Sequence, residues 1–337
     1  MPDQPLLSAR DIVVDYPGTP PVRAVDGVSF DLWPGEVVGL VGESGCGKST
    51  MARVLTGLIK PQSGQVLYRG RPLPPLGLRG RSPEWTGIQM VFQDPGSSLN
   101  PRRRVGDQVA DGIATARLRA AYERRQTARS ARSLTATDST AAPPRSLGPE
   151  AGPVLDPTTG PGAYPDRDTV AAAPRAAGDQ APATPEAWLE RIGLTARDAS
   201  RFPRHFSGGQ RQRIAAARAM AAHPNVLIGD EPISALDAST QAKVAHLMCV
   251  MAAELGTSLL FISHDLSIVR LVADRLIVMY QGHVVERGPT EQVWSDPLHP
   301  YTKALLGAIP APDGAGRLPE AAPPGVTYSL TEVVRSD

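Results

Sequence analysis

The sequence predicts an α/β fold with a parallel sheet, and three features carry that expectation. Residues Gly42–Thr50, GESGCGKST, match the pattern G-x-x-x-x-G-K-[ST] and lie between an apolar run (Val37, Val38, Leu40, Val41) and an amphipathic stretch (Met51, Val54, Leu55, Leu58). A phosphate-binding loop needs that context, because its backbone N–H groups must close a strand and open a helix. Val226–Glu231, VLIGDE, brings two adjacent carboxylates to the end of a second apolar strand, and Ser258–Ser263 forms a third that stops beside His264.

The elements follow in order. Leu6–Tyr16 and Ala24–Leu32 read as strands, with breaks at Pro17–Pro21 and Pro34-Gly35, so an antiparallel sheet is expected ahead of the loop. After the loop helix, Pro61–Gly64 is a turn, Gln65–Tyr68 a short strand, and Gly87–Phe92 an apolar strand ending at Gln93. Between Ala114 and Glu186 the chain turns rich in Ala, Pro, Gly and Thr with few large apolar residues. Such a stretch cannot bury enough surface to offset its ordering entropy, and Ser133–Pro185 is expected to be a disordered insertion. Regular structure resumes at Ala187–Ile192. Gln210–Ala222 reads as a helix introduced by Ser207-Gly208-Gly209 and stopped before Pro224, and Val226–Gly229 as a buried strand. Val244, Leu247, Met248, Met251 and Leu255 recur at helical spacing as a core stripe closed by Gly256. Arg275–Tyr280 and His283–Glu286 read as a hairpin around Gln281-Gly282, and a tail from Pro289 carries one short helix near Tyr301–Leu306.

Composition excludes more than it identifies. A chain of 337 residues has room for one large domain with attachments or for two ordinary ones. Its 35 Lys and Arg nearly cancel its 34 Asp and Glu, so no overall field points to nucleic acid. Two cysteines, Cys46 and Cys249, offer neither a disulfide framework nor metal-ligand spacing, which fits a reducing cytosol. Met1–Arg10 shows no secretory pattern, and the apolar runs fall far short of the roughly 20 residues of a spanning helix. Any membrane role is expected to come through a partner.

The chemistry concentrates at strand ends. Gly42, Gly45 and Gly47 let the backbone wrap so that successive N–H groups face an anion, and Glu43, Ser44, Cys46 and Thr50 complete the loop. Lys48 reaches the β- and γ-phosphates of a nucleoside triphosphate, and the Ser49 hydroxyl is placed to ligate magnesium. Asp230 holds the same ion directly or through water, while Glu231 orients or deprotonates the water that attacks the γ-phosphate. His264 emerges at the same sheet edge within reach of a γ-phosphate, and the Gln93 amide is placed for magnesium or the attacking water. Adjacent acids at a strand end are alone often a helix cap, and a lone histidine there is often structural. Their company with the loop makes them a site.

The order of phosphate loop, Gln93, FSGGQRQR (Phe206–Arg213), VLIGDE, SALD ending at Asp237, and His264 closely resembles the ATPase subunits of ATP-binding-cassette (ABC) transporters. The resemblance implies a P-loop NTPase with an N-terminal antiparallel β-subdomain, a RecA-like parallel-sheet core and an α-helical subdomain. On that pattern residues 1–288 form the ATPase domain, its helical subdomain lies at about residues 94–222, and residues 289–337 form an importer-type tail. ATP and Mg2+ are the implied cofactors. Tyr16 is implied to stack on adenine, Ser207, Gly208, Gly209 and Gln210 to contact the ATP of an opposing subunit, and Asp237 to cross the interface between them.

A finer resemblance, to the oligopeptide, dipeptide and nickel importer branch, rests on VFQDPGSSLNPR (Val91–Arg102), FSGGQRQRI, DEPISALD and DPLHPYTKALL (Asp296–Leu306). The chain looks more like the second of that branch's two paired ATPase subunits. Implied partners are integral-membrane permease subunits, a second ABC ATPase subunit and, indirectly, an extracytoplasmic solute-binding protein, with no nucleic acid. The implied place is the cytoplasmic face of the cell membrane, and the solute could be a peptide, nickel or another small molecule. Departures are the insertion, near where the permease would dock, and the absence of cysteine from Leu305–Asp337, where many relatives can carry an iron–sulfur cluster. A DNA-maintenance ATPase of the same class would need a long coiled coil, but the insertion has no heptads. A ribosome-associated relative would usually carry two cassettes.

Overall fold

Two sheets meet over the phosphate loop in a computed structural model that describes residues 4–77, 81–94, 98–135, 181–233, 238–309 and 327–334. Strands β1 (Leu7–Tyr16) and β2 (Val22–Leu32) pair antiparallel, with Leu7 opposite Leu32 and Ala9 opposite Phe30. After β3 (Val37–Val41) and helix α1 (Lys48–Leu55), β4 (Ser63–Tyr68) and β5 (Arg71–Pro72) complete a four-stranded sheet in the order β2-β1-β4-β5. This is the antiparallel layer expected from the alternating runs.

The second sheet has seven strands among the described residues. Its later members are β6 (Ile88–Val91), β7 (Val226–Asp230), β8 (Ser258–Ile262), β9 (Arg275–Tyr280), β10 (His283–Pro289) and β11 (Val333–Val334), in the order β11-β10-β9-β3-β8-β7-β6. Strands β9, β3, β8, β7 and β6 run parallel, and register fixes where they end. Leu40 lies opposite Ile262, Ile262 opposite Asp230, and Gly229 opposite Val91. The residues that follow β3, β8, β7 and β6 therefore leave the sheet at one edge, where ligands of open α/β sheets bind.

Alternation across this sheet divides two cores. Leu227, Phe261 and Val278 face one cluster, whereas Ile228, Leu260, Ile262 and Ile277 face the other, which they share with Leu7, Ile12 and Met51. Strands buried on both faces read as continuous apolar runs, which is why VLIGD and SLLFI lack a polar face. Each fully buried Leu or Ile contributes about 2 kcal/mol of transfer free energy.

Helices α2 (Val105–Thr135), α3 (Pro185–Arg191), α4 (Gly208–Met220), α5 (Ala238–Leu255), α6 (Leu266–Val272), α7 (Thr290–Ser295) and α8 (Pro300–Gly307) complete the described fold. Helix α2 has no counterpart among the elements expected from the sequence. Its Ala, Arg, Glu and Gln residues are strong helix formers, yet past Ile113 they leave almost no apolar stripe to signal it. The segment expected as an insertion consequently needs new edges: Ser133–Thr135 close α2, while Thr184 caps α3 by accepting from Ala187 N and Pro185 takes its first turn. Residues 136–180 lie outside the described residues. The expected tail also holds an extra helix, α7, and part of it packs on the core: Val293 and Tyr301 join the core cluster of Leu227 and Phe261, and β11 adds to β10 in parallel.

Candidate functional site

The loop after β3 wraps as its glycines require. Gly42 and Gly47 have φ of 149° and 108°, conformations that side chains rarely adopt. There is no room for a side chain either: a Cβ on Gly42 would lie 2.2 Å from the Met279 carbonyl oxygen, and one on Gly47 2.3 Å from that of Ala24. Lys48, only 4% exposed, donates from Nζ to the carbonyls of Gly42 and Glu43, each at 2.7 Å. A buried ammonium held by its own loop's carbonyls is placed to exchange them for phosphate oxygens. Cys46, within the loop, is buried, and that burial pushes its thiol above the ordinary range despite nearby Lys48. Cys249 in α5 is fully buried, its thiol pushed up to about 12.

Ser49 Oγ donates to Asp230 Oδ1 at 2.8 Å, joining the end of β7 to the start of α1. Asp230 is buried, and that burial raises its carboxyl above the usual range, with the Ser49 bond opposing. A hydroxyl beside a buried carboxylate is a donor set that suits a hard divalent cation, which takes one or two carboxylates and completes its shell from phosphates and water. Among the described residues no group of three or more His, Cys, Asp or Glu forms a separate metal centre.

One residue on, Glu231 has φ of 45°, and its N–H donates to the Ile262 carbonyl at 3.0 Å. A left-handed conformation at a non-glycine residue costs on the order of 1 kcal/mol or more and is found disproportionately at functional sites. Here it turns the carboxylate to the sheet edge, where Gln93 Nε2 donates to Oε2 at 3.1 Å and His264 Nδ1 lies 3.3 Å from the same oxygen. The three residues come from the ends of β6, β7 and β8 and meet because register aligns those ends. Asp265 follows His264 and caps α6 by accepting from Ser267 N and Ile268 N, fixing the turn that presents the imidazole.

Tyr16 lies at the end of β1 with Oη 3.3 Å from Thr50 Oγ1, which brings its ring beside α1. Ser207, Gly208, Gly209 and Gln210 stand apart. Ser207 N donates to Gln210 Oε1 at 2.9 Å and Ser207 Oγ accepts from Gln210 N at 3.3 Å, a capping box that opens α4. Among the described residues no hydrogen bond joins this turn to Gly42–Thr50. Asp237 lies outside the described residues. Four side chains make contacts that had no signal in the sequence. Gln212 Nε2 donates to the Phe92 carbonyl at 3.3 Å and so ties α4 to the strand end before Gln93. Gln108, buried in α2, donates to the carbonyls of Asn100 and Arg103, both at 3.1 Å, and Arg218 donates to the Ser98 carbonyl. Tyr301 Oη accepts from Glu43 N at 2.9 Å.

A wrapped phosphate loop, a serine–aspartate pair and a glutamate with Gln93 and His264 on one edge of a parallel sheet define a P-loop ATPase. Residues 25–234 match the ABC transporter family, and residues 285–333 match the oligopeptide/dipeptide transporter C-terminal region. The chain belongs to the ABC transporter family and is one of its ATPases. It is 40% identical over 296 residues to the oligopeptide transport ATP-binding protein OppF of Salmonella typhimurium, covering 87% of this chain and 71% of that protein. Against OppF of Bacillus subtilis identity is 40% over 293 residues, with 87% and 78% covered. The dipeptide transport ATP-binding protein DppF of Haemophilus influenzae is 37% identical over 313 residues, with 91% and 78% covered. Among solved structures, cbiO1 of Clostridium perfringens, part of the ABC transporter complex cbiONQ, has a TM-score of 0.57 at 23% identity over 87% of this chain and 92% of that one. A dimeric ATP-binding cassette in a post-hydrolysis state with ADP and Pi has a TM-score of 0.56 at 22% identity over 84% and 98%. These neighbours share the fold. No helix among the described residues is long and apolar enough to cross a membrane.

Proposed function

We propose that this chain powers a membrane importer of oligopeptides or dipeptides by hydrolysing ATP on the cytoplasmic face of the cell membrane, held there by integral-membrane permease subunits. The observation that carries the reading is the convergence of Lys48, Ser49 and Asp230 with Glu231, Gln93 and His264 at one sheet edge. The peptide-transporter match at residues 285–333 and the names of the curated relatives favour a peptide as solute.

Hydrolysis is phosphoryl transfer to water, so the residues position and balance charge. The loop N–H groups and Lys48 bind the β- and γ-phosphates, and Tyr16 stacks on adenine. A magnesium ion held by Ser49 and Asp230 would neutralise charge on those phosphates. Glu231 orients the attacking water or accepts its proton, Gln93 holds the carboxylate and reaches the same water, and His264 faces the γ-phosphate. With Nδ1 turned to the Glu231 carboxylate at 3.3 Å, Nε2 on the far side of the ring is left to meet a phosphate oxygen.

The site is completed by a second ABC ATPase subunit. Ser207, Gly208, Gly209 and Gln210 open a helix whose N–H groups suit an anion but serve no nucleotide bound to their own loop, and Asp237 is assigned to the facing interface. Ser207→Arg is therefore expected to suppress hydrolysis at the partner's phosphate loop while leaving ATP binding at Lys48 intact. Measuring both in the assembled complex, with each phosphate loop disabled in turn, decides the matter. Full hydrolysis by a dilute, demonstrably monomeric chain would overturn the shared site.

A further inference from the structure

We propose that Tyr301 is a positioning residue for the phosphate loop, through which the C-terminal segment sets the affinity for ATP; this rests on nucleotide binding at Gly42–Thr50. Tyr301 Oη accepts from the backbone N–H of Glu43 at 2.9 Å, across 258 residues of sequence. The Glu43 carbonyl accepts from Lys48 Nζ at 2.7 Å. Glu43 is thus gripped on both main-chain groups, by a side chain of the tail and by the lysine that must leave to meet a phosphate. Once Lys48 turns to the nucleotide, the carbonyl keeps the loop's own Cys46 N–H at 3.3 Å, and Tyr301 is the hold on Glu43 from outside the loop.

The surroundings of Tyr301 make that hold stiff. The residue is 1% exposed, and its ring centroid lies 4.4 Å from that of Tyr280 and 5.6 Å from that of Tyr328. Burial raises its hydroxyl above the ordinary tyrosine range, so it stays neutral at working pH. Its own N–H donates to His299 Nδ1 at 3.2 Å, which leaves the proton of a neutral ring on Nε2, 3.0 Å from the Ser329 carbonyl. Behind His299, the buried carboxylate of Glu286 accepts from Leu298 N and His299 N, each at 3.0 Å. Strand β10, the His299–Tyr301 turn and the returning residue Ser329 are therefore one frame, which reaches the loop through the tyrosine hydroxyl, beside the backbone bond from Gly282 N, just ahead of β10, to the Cys46 carbonyl at 3.0 Å. Packing alone would be served by phenylalanine.

A loop already held in shape loses less freedom when it closes on an anion, so the frame favours binding. Among the described residues no hydrogen bond joins it to Gln93 or His264, and the chemical step is left alone.

The test compares full-length wild type, Tyr301→Phe, Tyr328→Leu and Lys48→Ala, using equilibrium binding of a fluorescent ATP analogue, thermal melting without nucleotide, and steady-state kinetics in the assembled complex. Tyr301→Phe is expected to raise Kd and KM about three- to tenfold, up to the scale of one lost hydrogen bond, with kcat unchanged and the melting midpoint lowered no more than by Tyr328→Leu. Tyr328→Leu, which loosens the ring packing but leaves the Tyr301 hydroxyl, is expected to lower the melting midpoint and to raise Kd by clearly less than Tyr301→Phe does. An unchanged Kd in Tyr301→Phe, or an equal rise in Tyr328→Leu, overturns the proposal. Lys48→Ala reports on the nucleotide site itself. If it bound like wild type, the site reading would fail; if it lost binding while Tyr301→Phe matched wild type, the positioning role alone would fail.

Discussion

Glu231→Gln is expected to slow ATP turnover by about 10²- to 10⁴-fold while ATP binding survives, the scale on which a positioned general base contributes. The amide keeps the size of the carboxylate and still accepts from Gln93 Nε2 through its oxygen, so the ring of contacts with Gln93 and His264 can persist. What it cannot do is take a proton from water. In the proposed site, binding depends instead on Lys48, Ser49 and the loop N–H groups, none of which the substitution alters. Equilibrium binding and phosphate release measured side by side check the separation; near-normal release would remove Glu231 from the chemistry.

Asp230→Asn is expected to abolish magnesium-supported hydrolysis, by about 10²-fold or more, and yet not to destabilise the protein. Burial holds the Asp230 carboxyl above its ordinary range, so in the metal-free protein the unfolded chain ionises first as pH rises. Stability contributed by the protonated group is therefore present at low pH and is lost from the ordinary aspartate range up to the raised folded value. An amide has no such cost, and its oxygen still accepts from Ser49 Oγ. Melting of the nucleotide-free protein should show the variant equal to or above wild type at neutral pH, with the difference shrinking in acid. A variant clearly less stable at neutral pH would show that the Asp230 charge is compensated by its surroundings.

Much of the site was legible because its signals are local. A glycine pattern between a strand and a helix specifies the loop, and Asp230, Glu231, His264 and Gln93 were readable as strand-end residues from the apolar runs before them. Their convergence needed only the parallel order of the strands. The hairpin at Gln281-Gly282 was equally local, with both residues at positive φ, as such turns require. What escaped depends on partners far away in sequence. Tyr301 looks from its neighbours like a core aromatic, and only the fold shows its hydroxyl on Glu43. Gln108 and Gln212 are ordinary polar residues until their amides are seen holding main-chain carbonyls, of Asn100 and Arg103 in one case and of Phe92, beside Gln93, in the other. Helix α2 escaped for a different reason: strong helix formers without an apolar stripe give propensity but no periodicity.

The most direct measurement is uptake of a labelled oligopeptide by vesicles that hold the permease subunits, the second ATPase subunit and this chain, with ATP on the face where this chain sits. Uptake is expected to require ATP there, to collapse with Glu231→Gln in this chain, and to return with wild-type protein. Peptide uptake that proceeds undiminished with Glu231→Gln, or a complex that hydrolyses ATP vigorously and moves no peptide, would contradict a peptide importer driven from this site.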